Sequence, residues 1–176
     1  NPKLSWMALG QGGKIQYGYT DAWINMRENT KLWHIYNNMD LSFWDRFHDD
    51  LHQLIQSQHG EYNYSLGLAC YMLEKCHFRT GGSSSSKATG LTTLQGKHVQ
   101  LRKDGVDINF TGKSSVQNTC TIMDNDVLKM LSFTNIIGDD THIFPNLNSG
   151  QLRLHLKNKY NINPKDFRTY FANLKF

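Results

Sequence analysis

Three basic residues in this 176-residue chain stand in local settings where a cation could do chemistry. Arg79 follows a long helical pattern and precedes "TGG". Lys113 sits in "NFTGKSSV", where the turn between two strand-like runs hands it outward. Arg168, in "NPKDFRTYF", falls in the first turns of the last expected helix, where an anion would also meet free backbone N–H groups. A guanidinium stays charged and offers a planar fork of donors, whereas an ammonium on a flexible stem can bind an anion or release a proton. Taken singly, each has an ordinary explanation: a helix-end arginine, a turn lysine, a surface arginine.

Competing chemistries leave few traces. The sequence contains no metal-ligand set, P-loop, Gly-x-Ser-x-Gly elbow or dinucleotide fingerprint. "GQGG" (10–13) lacks the Lys-Ser/Thr and helix that a phosphate loop needs, and reads as a turn. His48 and His52 share a helix face but have no third ligand nearby, which favours a solvated face over a metal site. Cys70, Cys76 and Cys120 are odd in number; Cys70 and Cys76 fall on different faces of one helix. All three are expected to be reduced thiols of an intracellular protein. The excess of Lys and Arg over Asp and Glu, 19 against 15, permits an anionic partner without demanding one. No apolar run approaches the ~18 residues of a membrane span, and no signal-peptide pattern opens the chain.

The elements that must position these groups can be read from periodicity and turn chemistry. Residues 4–19 are expected to form a hairpin around "GQGG", followed by "TDAWINMREN" as a linker or short helix. A helical pattern runs from Thr30 to about Gln58, with Phe47, Leu51, Leu54 and Ile55 on one face, until Gly60 stops it. A second helix, from Tyr62 to about Phe78, carries Leu68, Met72 and Cys76 on a stripe. "TGGSSSSKATG" (80–90) is expected to be a mobile loop. Strand-like segments follow at Leu91–Leu101, broken at "QGK", then at Val106–Thr111 and Thr119–Met123, making a small antiparallel sheet. Asp124 is expected to cap a helix through about Leu131. Residues 151–160 form another, and Asn163-Pro164 starts the last with Pro at N1. The fold class expected is therefore α+β, mostly helical, with a small three-stranded antiparallel sheet inserted between helices.

The order of these segments changes the weight of the three cations. "GGKIQYGY" resembles the "GRRQYxY"-type segment of type IB DNA topoisomerases, in their poxvirus-like and eukaryotic nuclear forms. "YMLEKCHFRTGG", "TGLTTLQGKHVQL", "INFTGKSSV", "DDTHIFPNLNSGQLRLHL" and "NPKDFRTYFAN" are similar, in the same order, to successive parts of that family's catalytic region. The resemblance covers roughly residues 4–176. It implies the fold shared with tyrosine recombinases, with residues 1–25 as the end of an N-terminal DNA-clamp region and 26–176 as the catalytic core.

By position, the resemblance implies that Arg79 and Arg168 clamp the scissile phosphate and that Lys113 is the general acid for the 5′-oxygen leaving group. It implies DNA contacts for Lys14, Gln16, Tyr17, Tyr19 and Lys165. The implied reaction relaxes supercoils through a transient 3′-phosphotyrosine and needs neither ATP nor metal. The partner is double-stranded DNA, in an intracellular setting: the nucleus, or the virion or cytoplasmic factory of a virus. The residue types fit, because charge gathers on the non-bridging oxygens in the transition state and an unprotonated alkoxide leaves poorly. A lysine with a desolvation-lowered pKa suits the acid role.

The nucleophile is the missing part. Tyrosines stand at 17, 19, 36, 62, 64, 71, 160 and 170, none where the family places it; Tyr170 is expected to be a packed structural residue. The tyrosine is expected on a segment further toward the C-terminus, a C-terminal fragment or a second subunit. The opening Asn1 is likewise expected to mark a piece of a longer protein. Two alternatives stay open: a tyrosine recombinase, although Lys165-Asp-Phe-Arg168 lacks that family's His-x-x-Arg, and a duplex-binding module without catalysis.

Overall fold

The computed structural model describes residues 3–57, 61–82, 88–123, 131 and 137–174. Among these are five α-helices, a two-stranded hairpin and a three-stranded antiparallel sheet. The chain opens with β1 (Leu4–Leu9) and β2 (Ile15–Tyr19), paired antiparallel from Leu4↔Tyr19 to Leu9↔Ile15. Most of this ribbon is exposed, including Trp6, Met7, Leu9 and Ile15.

Helix α1 (Asp21–Asn38) begins where Thr20 Oγ1 accepts from the Trp23 N–H, so "TDAWINMREN" is its first half and not a linker. The helical pattern expected as one element from Thr30 to Gln58 is two. Asp40 interrupts it by capping α2 (Leu41–Ile55), its carboxylate accepting from the Phe43 N–H at 2.8 Å. Periodicity alone misses this break because apolar residues recur on both sides of it. Helix α3 (Tyr62–Cys76) is buried along most of its length and forms the centre of the molecule, packed against α2. It ends at His77, which takes the left-handed conformation, φ 55°, and donates its N–H to the Leu73 carbonyl.

The inserted sheet has the order β3-β4-β5: β3 (Val99–Leu101), β4 (Val106–Thr111) and β5 (Gln117–Ile122). Its alternation is clear in β4, where Val106, Ile108 and Phe110 are buried between exposed or half-exposed neighbours. The expected strand at Leu91–Leu101 survives only as β3. Residues Leu91–Thr93 and Gly96–His98 are 3-10 turns, with Leu91 and Leu94 buried as plugs instead of strand residues. Residues 124–130 of the helix expected from Asp124 to Leu131, residues 83–87 of the expected loop and Gly60 lie outside the described residues; Leu131 is described and buried.

Helices α4 (Ser149–Tyr160) and α5 (Pro164–Asn173) complete the order. An aromatic cluster joins α5 to α2, with Phe43, Trp44 and Phe47 meeting Phe167, and Trp44 also packing on Tyr170 and Phe171. Asp50 of α2 accepts from Tyr160 and sits 2.7 Å from Lys159 Nζ on α4. Burial acts to raise the Asp50 carboxyl, but these hydrogen bonds and the Lys159 charge outweigh it and hold it below its usual range.

The cysteine expectation is overturned. Cys76 and Cys120 form a disulfide, with 5.5 Å between their Cα atoms, joining the end of α3 to β5; Cys70 alone is a free, buried thiol. The two partners lie 44 residues apart in the chain, and only the packing of the sheet's edge on α3 brings them together. The premise that reduced thiols mark an intracellular protein is therefore withdrawn.

Candidate nucleic-acid interface

Each of the three cations is held by a different local device. Arg79 lies just past α3, after Phe78, whose buried ring meets Phe110 of β4 edge-on at 4.9 Å. The Arg79 carbonyl accepts from the Leu91 N–H at 2.8 Å, and the Thr80 carbonyl accepts from both the N–H and the hydroxyl of Thr92. This crossing needs glycine. A Cβ on Gly90 would stand 2.4 Å from the Gly81 backbone and 2.8 Å from the Arg79 carbonyl oxygen, and Gly81 itself has φ 100°. The "TGG…TG" punctuation thus pins the arginine's backbone to the plug residues at 91–94.

Lys113 starts the turn between β4 and β5, closed by the Gly112 N–H donating to the Val116 carbonyl at 2.8 Å. Ser114 and Ser115 both have positive φ, 62° and 57°, the handedness that matches a twisted hairpin. The Asn118 side-chain amide donates to the Val116 carbonyl and stiffens the base of the turn. Lys113 is exposed at its tip.

Arg168 is set by α5. Asp166 at N3 accepts from the Asn163 N–H at 2.7 Å, and buried Phe167 fixes the helix's rotation in the aromatic cluster. The next residue, Arg168, turns away from that core. Its Nη1 is buried with no hydrogen-bond partner among the described residues. Burial, and then the charge of nearby Arg79, hold its proton affinity below that of an ordinary arginine.

These devices converge. Arg79, Lys113 and Arg168 line one depression of about 700 Å³, with Lys165 and Arg153 on its wall and no Asp or Glu among its lining residues. A larger groove, about 990 Å³, crosses the outer face of the sheet. Its cations are neutralised, Lys97 by Asp140 and Arg102 by Asp107, so it offers an anion much less. Lys14, Gln16, Tyr17 and Tyr19 are exposed on or beside β2, outside the lining of the cationic depression. None of the eight tyrosines lines it. Tyr170 is instead packed among Tyr36, Trp44 and Phe171 and accepts from the Trp44 indole N–H at 3.3 Å. Among the described residues no group of His, Cys, Asp and Glu could hold a metal; His48 lies 3.2 Å from the Glu74 carboxylate. Among the described residues no helix is long and apolar enough to cross a membrane.

Sequence reasoning missed Arg153. Its signal was present, since "NSGQLR" (148–153) repeats the pattern of "NPKDFR" (163–168): an Asn cap, a Gln or Asp at N3, a buried residue, then arginine.

The chain is 24% identical to the DNA topoisomerase I of Monkeypox virus over 182 aligned positions, covering 99% of this chain and 56% of the relative. The figures are the same for the DNA topoisomerase 1B of Vaccinia virus (strain Copenhagen), so the chain spans about half the length of the relatives it matches. Residues 42–176 match the family described as eukaryotic DNA topoisomerase I, catalytic core. That match spans both arginines, the hairpin lysine and every element that lines the depression, and the chain belongs to this family.

Proposed function

We propose that this chain is the DNA-binding and phosphate-activating part of a type IB topoisomerase. In this reading it relaxes supercoils by transient single-strand cleavage and resealing, without ATP or metal. The observation that carries the proposal is the convergence of Arg79, Lys113 and Arg168 on one carboxylate-free depression. Arg168, which also lines it, has a buried Nη1 with no hydrogen-bond partner among the described residues, a donor that a phosphate's non-bridging oxygen would complete. Fixed donors aimed at charge that develops in the transition state contribute about 3–4 kcal/mol each. Lys113 is the proton donor to the 5′-oxygen; water leaves its ammonium when a duplex fills the depression.

The fold is assigned to the tyrosine-recombinase class, with the β1–β2 hairpin as the end of a DNA clamp. Exposed Lys14, Gln16, Tyr17 and Tyr19 touch the duplex, and Lys165 holds a phosphate beside the cleavage site. The nucleophilic tyrosine comes from outside these 176 residues, on a C-terminal segment or second subunit, because none of the eight present lines the depression. In this reading the protein acts inside cells, in a nucleus or a viral factory, where its DNA substrate lies.

The test mixes the chain with supercoiled plasmid, alone and with the C-terminal remainder of the protein. Salt-sensitive duplex binding by the chain, with relaxation only on complementation, supports the reading. Binding that persists while complementation yields no relaxation would favour a binding module, the reading that the tyrosine positions keep in play. Absence of duplex binding at low salt would end both.

A further inference from the structure

Five cations face the depression: Arg79, Lys113, Arg153, Lys165 and Arg168. No ion pair joins any of them to a carboxylate among the described residues. By contrast, Arg27, Lys31, Lys75, Lys97, Arg102 and Lys159 elsewhere each have an acidic neighbour within 4 Å. One bridging phosphodiester carries a single negative charge. Five converging cations therefore exceed what the reacting phosphate can neutralise, and the surplus fits further phosphates of the same strand.

The geometry of the two helix starts says which residues take them. In α4, Asn148 and Gln151 cap each other, the N–H of each meeting the other's side chain at 2.9–3.0 Å. In α5, the Asn163 N–H is held by Asp166 in the same register. Leu152 and Phe167 then occupy the same helical position, both fully buried, and each is followed by an arginine. The first residues of both helices, Ser149 and Gly150 in one, Pro164 and Lys165 in the other, line the one depression. Arg153 thus stands to α4 as Arg168 stands to α5. Its side chain is exposed, whereas the Nη1 of Arg168 is buried.

We infer that Arg153, with the first turn of α4, is a second phosphate subsite: it holds a backbone phosphate flanking the scissile one and so fixes the duplex in register against Arg79 and Arg168. This inference rests on the proposed duplex binding and names a residue beyond the three clamping and proton-donating groups. Arg153 is a positioning residue, since it meets the substrate away from the reacting atoms.

The experiment measures binding of a short duplex to the 176-residue chain by fluorescence anisotropy, from 50 to about 300 mM NaCl. Each phosphate contact adds roughly 0.9 to the slope of log K against log salt. Arg153→Gln is expected to lower that slope by about one contact's share and weaken binding about tenfold at low salt, with Arg153→Lys restoring the slope. Lys103→Gln, in the turn between β3 and β4 and outside the depression, is the charge control. A scan of duplexes carrying one uncharged methylphosphonate identifies the phosphate. Neutralising the flanking position weakens binding by the wild-type chain and leaves Arg153→Gln unaffected. Wild-type binding with an unchanged slope in a folded Arg153→Gln, or a methylphosphonate penalty equal in both proteins, overturns the subsite while leaving the proposed function standing. Should Arg153→Gln not fold, Arg153→Lys and the scan decide: no single flanking position mattering to either protein overturns it. Failure of the wild-type chain to bind any duplex overturns the function and the subsite together.

Discussion

Arg168 lines the same depression as Arg79, its Nη1 is buried with no hydrogen-bond partner among the described residues, and the Arg79 charge opposes its own. Two like charges side by side, one with an unmet donor, cost the empty protein stability that a bound phosphate restores. Replacing Arg168 by Met keeps the length of the stem and removes both the charge and the donors. An unmet buried donor costs about 1–3 kcal/mol, discounted here because the guanidinium is only partly buried. Arg168→Met is therefore expected to raise the stability of the free chain by about 1 kcal/mol while lowering duplex affinity. Sulfate at constant ionic strength should raise the melting temperature of the wild-type chain and leave that of Arg168→Met unchanged. Equal sulfate responses in the two proteins would contradict the arrangement.

The Cys76–Cys120 bond fastens the end of α3, three residues before Arg79, to the strand that follows Lys113. It joins positions 44 residues apart, and the loop-closure argument gives about 4 kcal/mol of stabilisation for a loop of that size. Reduction with a dithiol is expected to lower the unfolding free energy by nearly that amount, read as a lower denaturant midpoint. Thiol titration of the denatured, unreduced chain should find one reactive thiol, Cys70, and three after reduction. Three thiols before reduction would show that the bond does not form in solution.

The legibility of this chain follows the range of the interactions involved. Phe47 and Leu51, Asn163 and Pro164, and the alternating Val106, Ile108 and Phe110 announce their elements because spacing and capping are local. The Asp40 break was hidden because a cap residue inside an apolar pattern reads as one more polar position. Leu91 and Leu94 look like strand residues; their burial under the glycine crossing at 81 and 90 is a tertiary fact. The disulfide was illegible for the same reason, since nothing in the spacing of Cys76 and Cys120 foretells that β5 packs on α3. The three cations could be named from the order of motifs. Their convergence, and Arg153 beside them, required the geometry of two helix starts.

Acid should weaken the fold in two stages. Burial, reinforced by the Lys159 charge, holds the His155 imidazole below its usual 6.5, and burial does the same to His98. In the fold these rings stay neutral at a pH where the unfolded chain already takes up protons. Their contribution is complete above about 6.5 and is lost as pH falls through the lower folded values. Asp50, held below its usual 3.8 once the Lys159 and Tyr160 bonds outweigh its burial, contributes above that value and loses its contribution as pH falls further. Denaturant midpoints from pH 8 to 3 should therefore decline in two steps. His155→Gln is expected to flatten the upper step and Asp50→Asn the lower. A profile flat down to pH 4 would contradict the first assignment.

Lys113 supplies the sharpest test of the chemistry, because proton donation and phosphate clamping respond differently to the leaving group. A 5′-oxygen leaves poorly unless protonated; a 5′-sulfur needs little help. The hairpin that presents Lys113 is built by a turn whose central residues, Ser114 and Ser115, keep positive φ without contributing a cation. Truncating the lysine should therefore leave the scaffold in place. In the complemented enzyme, Lys113→Ala is expected to slow cleavage of the ordinary strand by about 10²–10⁴-fold and to recover most of that loss on a 5′-thio strand. Arg79→Ala and Arg168→Ala are expected to slow both strands alike, by about 10²–10³-fold each, because charge on the non-bridging oxygens develops whichever atom leaves. Equal slowing of Lys113→Ala on both strands would move the lysine from proton donor to clamp, and single-turnover cleavage rates on the matched pair of substrates decide the point.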